Sequence, residues 1–495
     1  MDGLPVSSKD MPYSGLRAAA NDGRATNVFF RQTQIRRLSN ELLAEKTTLM
    51  RAIADDSGNT PTEAWVEFYL TLSALKHYFA GLSPEKELHD EYRVANCQDA
   101  ADAREAVGIV YIEPGAHSYL YSVIVPIGGA VAAGNCVLVV IERTLKTLPA
   151  LLQKILQRCL DPDTLEITPS KVENKAFLNL CAQVVQTGVP DAPTPTTLYS
   201  NSDALAVGVV DRTADVGKTA KALVAARFSF GGTSSYAPDV VLVNEHMKTA
   251  FLNEAARHSI QYLTQEKKSL SELARKFDKK SGSPSRESDG VQIITSGTNG
   301  EVLFVKDRAM LMKLKKIRRK ALYVHSVTSM DDAINLTNSL SNNTSTALAA
   351  YVFGAPSNCK YLSQFILSQV AFANHVPLDM LVGPPAPLNV PMTPFTRYPV
   401  SAFTILRPVF YNKSRVAQES ESFLSEDNPH VLAQKQLKFT GKLELPSERP
   451  VKHMIGFFEQ GILVGLATAA TPILLTLGTV GYIGVSRFLL PRIRN

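Results

Sequence analysis

The stretch Phe228-Ser-Phe-Gly-Gly-Thr-Ser-Ser-Tyr-Ala-Pro-Asp239 joins a predicted helix to a predicted strand. The glycine pair Gly231-Gly232 favours a tight turn, because glycine adopts positive φ at little cost. The strand follows at residues 240–243, a run of aliphatic residues typical of a buried strand. A tight turn between such elements can hold a polar side chain at the edge of a cleft. We therefore expect this turn to mark the functional cleft.

The same stretch resembles the nucleophile segment of the aldehyde dehydrogenase superfamily, Phe-x-Asn-x-Gly-Gln-x-Cys-x-Ala-Pro-Asp. Five positions match in register: Phe228, Gly232, Ala237, Pro238 and Asp239. Ser235 stands where the family has its nucleophilic cysteine, Phe230 where it has Asn, and Thr233 where it has Gln. The resemblance implies a cleft in which a hydroxyl replaces the thiol. The residues expected to line this cleft are Asn201, Phe230, Thr233, Ser234 and Tyr236.

The composition is that of a foldable chain with two or three domains, since 45% of the 495 residues are hydrophobic and 20% are charged. The net charge of +6 is modest and the basic residues are scattered, so no nucleic-acid partner is expected. The five cysteines are widely spaced, without a Cys-x-x-Cys pair. This spacing argues against a metal site or a disulfide scaffold and fits a reducing compartment.

The C-terminal part contains an uncharged segment, residues 461–485. At about 1.5 Å per residue, a helix of this length crosses a hydrocarbon core of roughly 30 Å. A buried core helix is the alternative, but few are so long. The sequence therefore predicts a single-pass tail anchor that leaves residues 1–450 on the cytosolic side, with the endoplasmic reticulum as the favoured membrane.

Residues 106–112 and 136–141 are apolar runs that predict two strands, with a helix over 126–135 between them. This order predicts a parallel βαβ unit, in which the small residues of the helix allow close packing on the sheet. The helix resembles the Pro-x-x-x-Ala-hydrophobic-Ala-Ala-Gly-Asn helix of aldehyde dehydrogenases. Together with matches at 327–334 and 347–353, the resemblance extends over residues 28–415, and the predicted anchor resembles that of the fatty-aldehyde branch.

The resemblance implies an α/β fold, with a Rossmann-type parallel-sheet domain, a second α/β domain and a C-terminal transmembrane helix. It also implies a homodimer. The expected segments are a flexible tail at 1–27, a cofactor-type domain at 28–205, a catalytic-type domain at 206–385 with a mobile insert at 266–300, a return segment and oligomerisation arm at 386–425, a linker at 426–460, the anchor at 461–485 and a basic tail at 486–495.

Two catalytic positions of the family have changed besides the nucleophile. His117 stands where the family has the Asn that donates to the oxyanion, a role that a histidine N–H can also fill. No glutamate occurs between Glu173 and Glu245, where the resemblance places the general base. A serine hydroxyl needs a positioned base, so we predict that Ser235 and His117 pair, with the adjacent Ser234 as the alternative hydroxyl.

The cofactor positions have changed as well. Val140 replaces the lysine that holds the adenosine ribose, and a proline-rich segment at 189–197 replaces the phosphate-binding turn. Proline lacks the backbone N–H groups that bind phosphate. Lys316 replaces the glutamate that holds the nicotinamide ribose, within a basic run at 313–320. This run predicts a solvated face or, alternatively, a contact with anionic lipid headgroups.

These changes favour a repurposed non-redox enzyme that acts on an apolar small molecule, by acyl transfer or hydrolysis if Ser235 and His117 pair, or a pseudoenzyme. No cofactor is expected in either case. One alternative is the oxidation of a lipid or isoprenoid aldehyde, for which NAD or NADP would be required. The other is a non-catalytic membrane scaffold.

Overall fold

The computed structural model describes residues 13–190, 193–263, 290–340, 346–388, 390, 392, 396–439 and 457–484. The chain divides into two compact units, Met1–Asn412 and Lys413–Asn495. The first unit contains all of the strands that the structure describes.

The first unit opens with helices that pack around the first sheet. They are α1 (Ser14–Asn21), α2 (Val28–Ala44), α3 (Lys46–Ser57), α4 (Pro61–Gly81) and α5 (Pro84–Tyr92). A capping box starts α4, since Thr60 and Glu63 each bind the other's backbone N–H. The predicted flexible tail is wrong over 14–26, because Leu16 and Ala19 are buried in a small core with the first sheet. Residues 1–12 lie outside the described residues.

The first sheet is five-stranded, parallel and ordered β4-β3-β2-β5-β6. A short strand, β1 (Arg104–Ala106), precedes it. Its own strands are β2 (Ile109–Glu113), β3 (Cys136–Val140), β4 (Leu165–Thr168), β5 (Ala182–Val185) and β6 (Thr197–Tyr199). The helices between them are α6 (Tyr119–Ala132), α7 (Thr147–Cys159) and α8 (Lys175–Leu178). The unit β2–α6–β3 confirms the predicted parallel βαβ element.

The glycines of α6 pack differently from the prediction. An added Cβ on Gly128 would lie 2.6 Å from the Leu75 side chain on α4, and one on Gly129 would lie 2.7 Å from the Phe403 ring. The two glycines therefore allow close packing of α6 against α4 and against Phe403, and not only against the sheet.

The second sheet has seven strands in the order β13-β12-β7-β8-β11-β10-β9 and is parallel except for β9. The strands are β7 (Ala206–Val210), β8 (Val240–Asn244), β9 (Val291–Gly297), β10 (Gly300–Val305), β11 (Ala321–Val327), β12 (Ala347–Phe353) and β13 (Ser368–Ala373). Its helices are α9 (Val216–Phe228), α10 (Lys248–Leu263), α11 (Arg308–Leu311), α12 (Met330–Leu340) and α13 (Pro356–Phe365).

Part of the predicted insert at 266–300 belongs to this sheet. Residues 291–297 form β9, whose backbone pairs antiparallel with β10, so this part is not a loop. The remainder of the insert up to residue 289 lies outside the described residues. In the predicted arm, β14 (Thr404–Leu406) pairs antiparallel with β1. The boundaries between the domains remain predictions.

The second unit has three helices among its described residues: α14 (Arg415–Leu424), α15 (Pro429–Phe439) and α16 (Phe457–Gly484). Within α16, residues Glu459–Ile483 have a mean hydropathy of 1.8, and no residue of the apolar window is buried. Hydroxyls of Thr468, Thr471, Thr476 and Thr479 donate to carbonyls of the preceding turn, so these four groups are satisfied within the helix. This helix is long and apolar enough to anchor in a membrane. Residues 440–456 of the predicted linker and the whole basic tail lie outside the described residues.

Candidate active site

The turn after α9 depends on its glycines. Phe230, Gly231 and Gly232 all have positive φ, at 50°, 67° and 69°. An added Cβ on Gly232 would lie 2.6 Å from the backbone of Arg319, so only glycine fits there. The strained Phe230 is held by its N–H, which donates to the Glu63 carboxylate at 2.6 Å.

A buried carboxylate closes this turn. Asp239 accepts hydrogen bonds from the guanidinium of Arg227 at 3.2 Å and from Lys316 Nζ at 2.7 Å. It also accepts from the backbone N–H groups of Ile317 at 3.0 Å and of Ala206 at 2.8 Å. These contacts tie the turn to the start of β7 and to the segment before β11. Buried charges persist only where they are paired in this way.

Lys316 uses all of its hydrogens inside the protein. Besides Asp239, Nζ donates to the carbonyl oxygens of Ala204, at 3.0 Å, and of Ser235. Burial lowers the pKa of Lys316, and the Asp239 carboxylate opposes this shift. Three acceptors need three N–H groups, so we assign the ammonium form.

The predicted solvated or lipid-facing basic run is therefore wrong at its centre. The Lys316 side chain is only 3% exposed. Of its exposed neighbours, Arg318 pairs with Asp203, and Arg319 pairs with Glu301. The backbone of this basic run packs against the glycine turn, where Arg319 approaches Gly232. Its side chains therefore alternate between the interior and the surface.

Ser235 lies in a packed environment. It is 6% exposed, and its hydroxyl donates to the carbonyl of Ser202 at 3.5 Å. Ser234 is fully buried and accepts from the N–H of Tyr236 at 3.3 Å. The Tyr236 hydroxyl in turn accepts from the N–H of Ala386 at 3.0 Å. Asn201 is half-buried just after β6.

An arginine fills the space beside these residues. The buried guanidinium of Arg397 lies 5.2 Å from the ring centre of Tyr236 and 5.5 Å from that of Tyr121. It donates to the carbonyls of Met380, at 2.7 Å, and Pro384. This part of the turn is therefore a protein core, stabilised by cation–π contacts and hydrogen bonds.

A cavity of about 1140 Å³ opens on the other part of the turn. Glu113 and Val140, at the carboxyl ends of β2 and β3, contribute to its wall. Ligands of open α/β sheets bind at the carboxyl ends of the strands. Of the predicted cleft residues, His117, Phe230 and Thr233 line it. The described residues that line it do not include Asn201, Ser234, Ser235 or Tyr236.

His117 pairs with Thr233 in this cavity. Its Nδ1 lies 3.0 Å from Thr233 Oγ1, and its Nε2 lies 2.7 Å from the carbonyl oxygen of Leu381. Because a carbonyl only accepts, Nε2 carries the ring proton and Nδ1 is free to accept the Thr233 proton. Burial lowers the pKa of His117 from 6.5 to about 4, which keeps the ring neutral. The sequence predicts Ser235 as its partner, but the hydrogen bonds of Ser235 and His117 go to different groups.

Sequence reasoning missed Glu67, which lines the same cavity. This residue of α4 is 1% exposed and accepts from the N–H groups of Leu120, at 3.0 Å, and Tyr121, at 3.5 Å, in the first turn of α6. Burial raises the pKa of Glu67 from 4.5 to about 7. The sequence did indicate that Glu67 is buried, because it lies on one helical stripe with Ala64, Phe68, Thr71 and Leu75.

No thiol lines the cavity among the residues that the structure describes. Four of the five cysteines are buried, and burial raises the pKa of Cys136 to about 11 and those of Cys159 and Cys181 to about 12. Cys97 is exposed in the loop after α5. Over the described ranges, no group of three His, Cys, Asp or Glu side chains could hold a metal ion.

The five-stranded parallel sheet, the mostly parallel seven-stranded sheet, the β1–β14 pair and the cleft at the strand ends are those of the aldehyde dehydrogenase fold. The solved AldH of Staphylococcus aureus superposes with a TM-score of 0.64 at 16% identity, covering 88% of this chain and all of that one. A mutant of AldC of Pseudomonas syringae, solved with NAD+ and octanal, gives a TM-score of 0.60 at 16% identity, covering 81% of this chain and 88% of that one.

Curated sequences that are similar to parts of this chain are also aldehyde dehydrogenases. The 4,4'-diaponeurosporen-aldehyde dehydrogenase of Staphylococcus aureus is 21% identical over 254 residues, 47% of this chain and 54% of the relative. Aldehyde dehydrogenase family 3 member B1 of Rattus norvegicus is 31% identical over 150 residues, 30% of this chain and 32% of the relative. The chain thus aligns with about half or a third of these relatives. No protein-family model matches it. The chain is a divergent homologue of the aldehyde dehydrogenase superfamily.

Proposed function

We propose that this protein is a repurposed, non-redox member of the aldehyde dehydrogenase fold, which binds an apolar small molecule in the cleft and is held on a membrane by α16. One observation supports this most directly. The family's thiol position is Ser235, whose hydroxyl is packed against a backbone carbonyl, and no cysteine is among the described residues that line the cavity. Oxidation through a thiohemiacetal needs a thiolate in contact with the aldehyde.

The nicotinamide cofactor of the family fits this cleft poorly. Lys316 replaces the ribose-binding glutamate, and its three donors are already used by Asp239 and two carbonyls. A buried ammonium cannot accept the hydrogen bonds of ribose hydroxyls. Val140 supplies only an aliphatic side chain at the end of β3. We therefore derive no step through this cofactor.

One part of the cavity suits an apolar ligand, although charged side chains line the rest. Ile53, Leu148, Pro149, Tyr119 and Phe230 give it an apolar wall. Its volume of about 1140 Å³ slightly exceeds the upper end, about 1,000 Å³, of ordinary ligand pockets. A membrane-held protein with such a cavity has access to lipid-soluble substrates, which is the class we propose.

The test is made on the full chain in detergent micelles, mixed with octanal and either NAD or NADP. We expect no formation of reduced nicotinamide and no saturable binding of either dinucleotide at millimolar concentration. Aldehyde-dependent reduction of NAD or NADP would overturn the proposal.

A second candidate is the oxidation of a lipid or isoprenoid aldehyde with NAD or NADP. Glu142 favours it, because this carboxylate lines the cavity two residues after the end of β3, where α/β sheets often bind a ribose hydroxyl. The AldC structure with NAD+ and octanal lends it support. The nicotinamide assay decides between the two candidates.

We also propose that the protein is a homodimer. Val409, Phe410 and Tyr411, just after β14, expose between 45% and 66% of their surface. Such a patch on the arm favours association, since contiguous exposed apolar surface marks interaction sites. Light scattering of the detergent-solubilised chain, with the detergent mass subtracted, should give twice the chain mass of 54.0 kDa.

A further inference from the structure

We propose that Thr233 is the nucleophile of this cleft, with His117 as its base, and that the cavity transfers or hydrolyses the acyl group of an ester or thioester of an apolar acid. This inference rests on the proposed non-redox function and names its chemistry. It places the reacting hydroxyl two residues before the position that the sequence motif suggests.

The geometry supplies a nucleophilic hydroxyl, a base and a group that orients the base. Thr233 Oγ1 lies 3.0 Å from His117 Nδ1, within the range of nucleophile–base pairs. The Leu381 carbonyl accepts from His117 Nε2 at 2.7 Å, and this bond fixes the tautomer that leaves Nδ1 unprotonated. In serine hydrolases a carboxylate orients the base in this way. Here a backbone carbonyl takes that place.

The two side chains come from distant parts of the chain and converge in the cavity. His117 precedes α6, Thr233 follows α9, and both line the wall. Thr233 is exposed to this space, whereas Ser234 and Ser235 are buried. The Thr233 hydroxyl can also donate to the carbonyl of Phe230 at 2.9 Å, so this carbonyl competes with His117 Nδ1 for its single proton, which must turn toward Nδ1 for reaction.

The proposed reaction needs no oxidant. Thr233 Oγ1 forms a bond to the acyl carbon while its proton passes to His117 Nδ1. The bond from the acyl carbon to the leaving oxygen or sulfur then breaks, and the leaving group takes the proton from Nδ1. Water or an acceptor alcohol adds to the acyl–Thr233 ester by the same route, which releases the acid or the new ester and restores the Thr233 hydroxyl.

Glu67 complements this pair. Glu67 lines the same cavity and is partly protonated near neutral pH, since burial raises its pKa to about 7, while burial keeps His117 neutral. Opposite pKa shifts of two titratable groups in one cavity are typical of acid and base roles. Protonated Glu67 can donate a hydrogen bond to a substrate oxygen.

The test uses the detergent-solubilised full chain and p-nitrophenyl esters of butanoate and octanoate, with release of p-nitrophenolate as the readout. We expect Thr233→Ala and His117→Ala to lower the rate by at least about 100-fold, the lower end of general base effects. Thr233→Ser should retain activity. Thr48→Ala is the control, because it removes a threonine from an exposed position of α3 that is not among the residues lining the cavity, and it should stay within about twofold.

A trapping experiment separates catalysis from a merely structural bond. Acid quenching during turnover, followed by peptide mass spectrometry, should show the acyl group on Thr233 and none in Thr233→Ala. An adduct on Ser235, unchanged turnover in Thr233→Ala, or no turnover by the wild-type chain would each overturn the inference. If ester turnover and nicotinamide reduction are both absent, only this inference fails. Nicotinamide reduction would overturn the proposed function itself. Thermal unfolding of each variant verifies that it is folded.

Discussion

The buried carboxyl of Glu67 should make the stability of the fold depend on pH, and Glu67→Gln should remove this dependence. Glutamine keeps the shape of the side chain and offers an amide oxygen to the N–H groups of Leu120 and Tyr121. The variant differs from the wild type mainly in that its side chain cannot ionise.

The magnitude follows from the pKa shift. Burial raises the pKa of Glu67 from 4.5 in the unfolded chain to about 7 in the folded protein. Between these values the folded state holds a proton that the unfolded state has lost, so stability falls as pH rises. Each pH unit costs about 1.4 kcal/mol. The wild type should therefore lose about 3 kcal/mol between pH 4.5 and pH 7 through this one group, and no more above pH 7.

The assay is chemical denaturation of the detergent-solubilised wild type and Glu67→Gln at intervals between about pH 4.5 and pH 8. The difference in unfolding free energy should move by about 3 kcal/mol in favour of the variant over this window. Glu91→Gln, a change at an exposed position of α5, serves as the control and should show no such trend. A difference that stays constant with pH would refute the assignment of Glu67 as a buried carboxyl with a raised pKa.

Three further changes test other parts of the structure. Lys316→Met should lower the free energy of unfolding by about 3–5 kcal/mol in a denaturant titration, because it breaks a buried pair and leaves carbonyl groups unsatisfied; an unchanged midpoint would contradict the buried contact. Gly232→Ala should cost at least about 2 kcal/mol, since the residue has φ +69° and abuts a backbone, whereas Gly217→Ala, which meets only an ordinary contact at 3.8 Å, should be tolerated. Leu474→Arg raises the free energy of inserting α16 into a membrane by about 3 kcal/mol. It should therefore raise the fraction of protein that alkaline carbonate extracts from membranes, relative to Leu474→Ile. Complete extraction of the wild type would refute the membrane anchor.

The sequence predicted the elements that depend on local pattern. The runs at 109–113 and 136–140 are almost entirely apolar because they are central parallel strands, and such strands are buried on both faces. The uncharged segment at 461–485 likewise predicted a long apolar helix, which is α16. The tail prediction failed at α1, since a short alanine-rich segment gives little local signal and its burial comes from packing against the first sheet.

The sequence indicated where the candidate site lies, but not which side chains meet in it. A cavity lies beside the glycine turn, and three of the residues expected at the cleft, His117, Phe230 and Thr233, line it. Which hydroxyl faces His117 depends on the backbone: Phe230 adopts φ 50°, a conformation that the sequence does not signal at a phenylalanine, and this places Thr233 toward the cavity. Glu67 reaches α6 across 53 residues of sequence, a contact that no local pattern can reveal.

The Asp239 contacts have a consequence for the order in which the molecule is made. Its carboxylate is bound by Lys316 and by the Ile317 N–H, which lie 77 and 78 residues further along the chain. At about 5–20 residues per second, a ribosome adds these partners roughly 4–15 s after Asp239. During that interval Asp239 lacks its lysine, and the glycine turn has no closing segment. The cleft of a nascent chain is thus completed late, and α16 is synthesised later still.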